Sequence, residues 1–346
     1  MILEEGKVAF EGQISGREKG PGKIDGVFYN PAMKLCRDLN VDLFNKINFQ
    51  GHMLDAMAAT GIRGLRLAKE CGIEVDFCDK NPEATKLITK NLKLNKIKAN
   101  VFRANVSTLL HEKLYDAVDI DPFGSPAPYV LAAINSLRNG GILAITATDT
   151  GALCGTYQKA CLRRYNAFNQ KSISSKEFAL RILIGFTARQ AAILDRGVEV
   201  LLGYYEGHHF RAYLKLRKGA GRANNSLSMV KYISSDLKII EHPTENSYGP
   251  MWTSQITDEK YLPDINQDNR ALYKLINILK CEWKGPVGLQ DLVALSQEIK
   301  INMPKRSSLI DVLKSKGFFA SQSIFSPLGI RTNASKSECL DAISNA

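Results

Sequence analysis

The sequence predicts an α/β protein whose main domain is a Rossmann-like sheet, parallel in its first five strands and closed by an antiparallel hairpin. A smaller α+β domain of winged-helix character is expected to follow it. Three observations carry this reading. Between residues 52 and 149, short apolar runs alternate with amphipathic stretches, as strands and covering helices do around a parallel sheet. Two later strand-like runs, 198–206 and 209–217, are joined by the tight turn Gly207-His208 and must therefore run antiparallel. Beyond about residue 265 the pattern becomes mostly helical.

Taken in order, residues 1–30 are glycine-rich and alternating, and read as short β segments with turns. Asn30-Pro31 opens a helix running to about Leu43, with proline in its first turn. Strands are expected at 52–58, 74–80, 99–105, 115–121 and 142–149. Helices are expected near 64–71, at 82–95, at 128–141 with Gly140-Gly141 closing it, and at 177–197. A plain dinucleotide-binding sheet would continue with another parallel strand. A closing hairpin is instead the layout of a class I S-adenosylmethionine methyltransferase sheet. Residues 218–235 read as a linker, dividing the chain into 1–235 and 236–346. In the second part, 289–301, 305–321 and 323–334 read as helix, helix and β-wing.

A chain of 346 residues suits two domains, and its composition, 45% hydrophobic and 23% charged, is that of a soluble globular protein. No run of eighteen apolar residues appears, so no membrane span is expected, and the acidic N-terminus does not read as a signal peptide. The seven cysteines are odd in number and scattered, with no C-x-x-C pair. That spacing argues against a disulfide framework or a zinc ribbon and for a reducing, cytoplasmic setting. The net charge of +11 favours a polyanionic partner without proving one.

Three motifs carry chemistry. DAMAATGIRG (55–64) ends the first strand in small residues, which lets backbone N–H groups and a helix N-terminus approach a ligand; Asp55 and Gly61 belong to this turn. Asp79, at the end of the second strand, can accept both ribose hydroxyls of a nucleoside, whether of NAD or of S-adenosylmethionine. DIDPFGSP (119–126) lies just beyond the fourth strand, at the carboxyl edge of the sheet. An exocyclic amine on a base is a poor nucleophile because its lone pair is delocalised into the ring. Acceptors for its two N–H groups would favour a pyramidal nitrogen. Asp121 would supply a carboxylate oxygen, Pro122 a carbonyl, and Phe123 a stacking surface. This run is similar to the Asp-Pro-Pro-Tyr motif of amino-methyltransferases.

On VFYNPAMKLCRD (27–38), DAMAATGIRGLR (55–66), DIDPFGSPAPY (119–129) and GPMW (249–252), the chain resembles the archaeal tRNA (guanine-26, N2) dimethyltransferase family. The resemblance implies methyl transfer from S-adenosylmethionine to the guanine N2 of tRNA, once or twice, with no metal and no obligate protein partner. It implies that Phe28 flanks a flipped guanine opposite Phe123, that Arg37 and Arg63 contact the cofactor carboxylate, that Asp79 holds the ribose, and that Asn105 and Val106 meet the adenine. Two departures stand out. The family usually has Asp-Ala where this chain has Asn105-Val106; the Asn105 amide oxygen would still accept from the adenine amine. Many members carry two C-x-x-C pairs in the C-terminal domain, and this chain has none, so no structural zinc is expected.

The basic residues fall into two clusters, Lys159, Arg163, Arg164, Lys171 and Lys176, and Lys300, Lys305, Arg306, Lys314 and Lys316. Both are candidates for phosphate contacts. His208 and His209 read as a solvated turn rather than a metal site. Rival readings are another RNA or DNA amino-methyltransferase, a non-catalytic RNA-binding protein and an NAD enzyme.

Overall fold

The computed structural model describes residues 1–14, 27–264 and 269–344. The N-terminal extension contains β1 (Ile2–Glu5), β2 (Val8–Glu11), β3 (Gln13–Ile14) and β4 (Phe28–Tyr29). A short 3-10 turn at Pro31–Met33, capped by Asn30, leads into α1 (Lys34–Lys46). Then come β5 (His52–Ala56), α2 (Ile62–Cys71), β6 (Glu74–Asp79), α3 (Pro82–Asn95), β7 (Val101–Arg103), α4 (Val106–Glu112), β8 (Tyr115–Ile120), α5 (Ala127–Ser136) and β9 (Leu137–Ala147). Helices α6 (Thr150–Leu153), α7 (Gln158–Tyr165) and α8 (Ser175–Ala192) precede the hairpin β10 (Arg196–Glu206) and β11 (His209–Lys218).

The central sheet has seven strands in the order β10-β11-β9-β8-β5-β6-β7. Its first five are mutually parallel, and β11 runs antiparallel to both β9 and β10. Strand order reverses between β5 and β8, so a crevice opens there beyond the carboxyl ends of the strands. The hairpin turn lies on that same edge, because β11 runs opposite to β9.

The sequence misplaces two features, the end of α5 and the stretch 218–235, for identifiable reasons. Helix α5 ends at Ser136, and Gly140-Gly141 lies inside β9 rather than closing a helix. The partners step from Tyr115↔Leu137 to Ala117↔Ile142, so the extra residues form a bulge. Gly140 takes φ +84° there, and a Cβ on Gly141 would stand 3.0 Å from the carbonyl oxygens of Arg138 and Asp116. Residues 218–235 are not a linker: α9 (Ala220–Ser228) packs on β10, with Ser226 Oγ accepting from Val198 N at 2.8 Å, and β12 (Val230–Ile233) follows. With β13 (Ile239–Ile240) and β14 (Tyr248–Trp252), β12 forms a small antiparallel sheet. Helix α8 is buried almost throughout its length beneath these layers, which erases the polar face that periodicity would reveal.

The C-terminal part comprises α10 (Arg270–Glu282), β15 (Gln290–Asp291), α11 (Leu292–Glu298), α12 (Arg306–Ser315), β16 (Ala320–Gln322), β17 (Gly329–Thr332) and α13 (Lys336–Ile343). Its sheet order β15-β17-β16 beside these four helices is a winged-helix arrangement, as the sequence predicts. A buried ion network ties it to the part built on the seven-stranded sheet. Glu177 of α8 accepts from Arg181 at 2.7 Å and from Arg331 of β17 at 2.8 Å, and Arg331 also donates to Glu282 of α10 at 2.9 Å.

Candidate active site

A cavity of about 500 Å³ opens at the crevice, and its walls draw on the 27–38, 55–66 and 119–129 motifs and on Asp79. Asp55, Ala59, Arg63, Asp79, Asn105, Val106, Asp121, Pro122, Phe123 and Arg37 all line it. Gly61 stands at its inner turn as N-cap of α2, at φ +79°, and in place of a cap side chain Asp55 accepts from Gly64 N in the first turn of the helix. Met57 and Ala59 share the left-handed region with it, at φ 63° and 52°. Such strain in a non-glycine turn is tolerated where the surroundings over-determine it, often at ligand sites.

Asp79 shapes this turn, one carboxylate oxygen accepting from Ala59 N at 3.0 Å and the other from Asn81 N at 2.8 Å. The N-cap of α3 is Asn81, so Asp79 is left facing the cavity. Asn105 lies on the wall, but its amide oxygen accepts from Ser107 N at 2.9 Å as N-cap of α4, a helix the sequence reading did not contain. Arg37 is locked by Glu5: Nε donates to Oε1 at 2.7 Å and Nη2 to Oε2 at 2.6 Å. Tyr29 and Arg66 also donate to Glu5, at 2.6 and 2.8 Å. Burial would raise the Glu5 carboxyl, but Arg37, Tyr29 and Arg66 outweigh it and hold it at about 2. The Phe28 backbone lies in β4 beside the cavity residues Val27 and Tyr29; its side chain lies outside the described residues.

Beneath the cavity floor sits a charge cluster that the sequence reading missed. Arg211 of β11 is buried and grips Asp119 of β8 with both terminal nitrogens, at 2.8 and 2.5 Å. Arg63 reaches Asp119 at 3.7 Å and hydrogen-bonds Asp121. These partners make Arg63 a holder of Asp121, while it also lines the cavity in which the resemblance gives it a cofactor contact. The thiol of Cys36 accepts from Arg63 at 3.5 Å. Burial pushes that thiol up, yet Arg63, Arg211 and His209 pull it down to about 6. Burial works the same way on Asp121, and Arg63, Arg211 and His209 still hold it below the usual carboxylate range. Asp55, hydrogen-bonded to Gly64 N at 2.9 Å, goes the other way: burial and the facing Asp119 raise it to about 7. His209 is not part of a solvated turn but 0% exposed, because alternate residues of β11 (His209, Arg211, Tyr213) point into the interior.

The DPFGSP loop is fixed from behind. Thr148, just past β9, accepts from Gly124 N through its hydroxyl at 2.7 Å, and its own N–H donates to Gly124 O at 3.0 Å. The Ser125 and Tyr165 hydroxyls lie 2.8 Å apart, and Tyr165 donates to Asp149 at 2.8 Å. Phe123 is left 76% exposed at the cavity mouth. The arrangement therefore presents an ionised carboxylate, a proline carbonyl and a projecting phenyl ring at one end of a nucleoside-sized cavity. Among the described residues, no cluster of three or more metal-ligating side chains occurs.

The comparisons agree with this geometry. A family model described as N2,N2-dimethylguanosine tRNA methyltransferase matches residues 16–344. The tRNA (guanine(26)-N(2))-dimethyltransferase of Methanocaldococcus jannaschii is 36% identical, over 99% of this chain and 98% of that protein. That of Pyrococcus furiosus is 37% identical, over 89% and 90%. The structure of Trm1 from Pyrococcus horikoshii with S-adenosyl-L-methionine superposes with a TM-score of 0.90 at 32% identity, covering 99% of each chain. With its motifs gathered around one cavity and the match running through both domains, the chain belongs to the N2,N2-dimethylguanosine tRNA methyltransferase family.

Proposed function

We propose that this protein transfers one or two methyl groups from S-adenosylmethionine to the exocyclic N2 of guanine 26 in tRNA. One observation carries the reading: the Asp121-Pro122-Phe123 loop shares a cavity with Asp79 and the Gly61 turn. The cavity suits the cofactor. It offers a carboxylate at the end of β6, the N-terminal turn of α2 after Gly61, where Asp55 takes up one of the N–H groups, and an amide at Asn105, a donor and acceptor set matched to a nucleoside bearing an amino acid tail. Asp79 would hold the ribose, Asn105 and Val106 the adenine, and Arg37 the carboxylate, with Asp55 and Gly61 shaping the turn. When bound, the cofactor supplies an electrophilic methyl group.

The protein's own part is placement. Asp121 and the Pro122 carbonyl accept hydrogen bonds from the amine, aiming the nitrogen lone pair along the line of transfer. Phe123 and Phe28 replace the stacking lost when the base leaves the helix. Proximity and orientation of this kind supply most of the rate in such reactions. The winged-helix part would grip tRNA phosphates. α12 and its flanks carry Lys305, Arg306 and Lys314 around a groove of about 840 Å³. A cytoplasmic setting suits the seven unpaired cysteines, and no helix among the described residues is long and apolar enough to cross a membrane.

The test is methyl transfer to unmodified tRNA, followed by nuclease digestion and mass analysis. N2-methylated guanosine at position 26 is expected; N6-methyladenosine, or no RNA product, would overturn the assignment. In the same assay Lys300, Lys305 and Lys314 changed together to Ala should weaken tRNA binding and flatten its dependence on salt by roughly two units of log–log slope. Cofactor affinity, read by calorimetry, should not move; an unchanged salt slope would remove these lysines from the interface.

A further inference from the structure

We propose that His208 accepts the proton released when the guanine amine is methylated, an inference that rests on the methyl-transfer reading above. As the nitrogen–carbon bond forms and the carbon–sulfur bond breaks, the sulfonium becomes a neutral thioether and the nitrogen takes up the positive charge. The charge disappears only when one hydrogen leaves the nitrogen as a proton. A second methylation repeats the step on the remaining hydrogen. Something in the cavity must therefore receive a proton once per turnover.

Asp121 is badly suited to that role. Arg63 hydrogen-bonds its carboxylate, and Arg211 and His209 add to the positive field, so the proton is held off. A carboxylate so stabilised accepts a hydrogen bond well and a proton poorly. Asp119 is paired twice to Arg211. Asp55 lies at the end of β5, its carboxylate turned to Gly64 N, and Asp79 lies one strand further away with both oxygens on backbone N–H groups. The Pro122 carbonyl cannot keep a proton.

His208 lines the same wall as Asp121, Phe123 and Thr148, and is the one imidazole among the described residues around the cavity. It sits in the two-residue turn between β10 and β11, where Tyr205 Oη donates to Gly207 O at 2.5 Å and steadies the turn. The buried ring of His209 meets it edge-on, with centroids 5.6 Å apart. The groups that face it are His209 and Glu206 from the hairpin and Asp121 from the β8 loop. Burial, then His209, lowers its pKa, while Glu206 and Asp121 pull the other way more weakly. The imidazole is accordingly neutral near pH 7, with a lone pair to offer. Once protonated it would face the Asp121 carboxylate, and its half-buried position lets it return the proton to water.

The experiment uses the full chain, a tRNA transcript with guanine at position 26, and the variants His208→Gln and His208→Ala. For the wild type, kcat should rise through a single titration at or below the ordinary histidine range of about 6.5 and then level off. Both variants should lose kcat by roughly 100-fold and lose that titration, while KM for cofactor and tRNA changes by less than about threefold. Added imidazole should restore part of the rate in His208→Ala. Wild-type kcat with an unchanged pH profile in both variants would overturn the proposal. So would a loss that tracks weakened cofactor binding in calorimetry and is not rescued by imidazole, since that pattern marks a wall residue. A wild-type chain that leaves guanine 26 unmethylated overturns the reaction itself, which is a distinct failure.

Discussion

On the proposed reading, Asp121 suits its role as an acceptor because, against burial, Arg63 and Arg211 keep its carboxyl below the usual range. Three carboxylates (Asp55, Asp119, Asp121) share the end of the sheet with two guanidinium groups, Arg63 and Arg211. Burial and the facing Asp119 both push Asp55 toward its protonated form. Replacing Asp121 by Asn keeps the shape, removes the charge and turns one acceptor into a donor. Methyl transfer should fall by about 100-fold or more while calorimetric cofactor affinity stays within a few-fold; equal activity would remove Asp121 from its assigned role. Asp55 gives a prediction about pH. Its pKa rises from 3.8 to about 7 on folding, so its contribution to stability is fully present below 3.8 and is lost as pH rises through about 7. That shift corresponds to about 4 kcal/mol. Asp55→Asn still offers Gly64 N an acceptor. In urea unfolding between pH 4 and 8 the wild type should therefore lose stability relative to Asp55→Asn as pH rises. Parallel pH curves for the two proteins would contradict this.

At the scale of elements, the DPFGSP loop depends on the end of β9. Thr148 satisfies the Gly124 N–H, and Thr148→Val would leave that donor without its partner and the loop less well placed. A cost of about 1–3 kcal/mol is expected for an unsatisfied buried donor. The kinetic signature should be a drop in kcat near tenfold with cofactor affinity retained, measured by initial rates and calorimetry. Unchanged kcat would show that the loop holds its position without Thr148. The loop's position was readable in advance, because strand β8 has a clear apolar pattern and the turn formers after it are dense. The bulge in β9 was not: Gly140-Gly141 after an amphipathic run looks like a helix end, and only pairing with β8 makes it a bulge. Helix α9 was taken for linker because its polar sequence buries just Ala223 and Ser226.

Across the whole molecule, Arg331 bridges Glu177 of α8 and Glu282 of α10. All three side chains are almost wholly buried, so Arg331→Leu would leave Glu282 without its ion pair and Glu177 paired to Arg181 alone. A loss of about 3–5 kcal/mol is expected. Chemical denaturation should show it, together with separation of the two parts into distinct transitions. A single transition with unchanged midpoint would mean that apolar packing alone joins them. On the proposed reading, the winged-helix part presents tRNA, and this buried network joins it to the part that holds the cavity.

The sequence by itself determined the parallel sheet with its closing hairpin, the strand-end positions of Asp55, Asp79 and Asp121, and the small-residue turn at Gly61. All of these are local: they depend on apolar period, turn formers and short spacing, which a linear chain displays. Only tertiary structure decided what surrounds them. Glu5 reaches Arg37 across 32 residues, and Arg211 reaches Asp119 across 92. His209 enters the interior, and Arg63 pairs with Asp121. A buried charge must find its partner from whatever elements the fold brings near, and that pairing leaves no trace in sequence order.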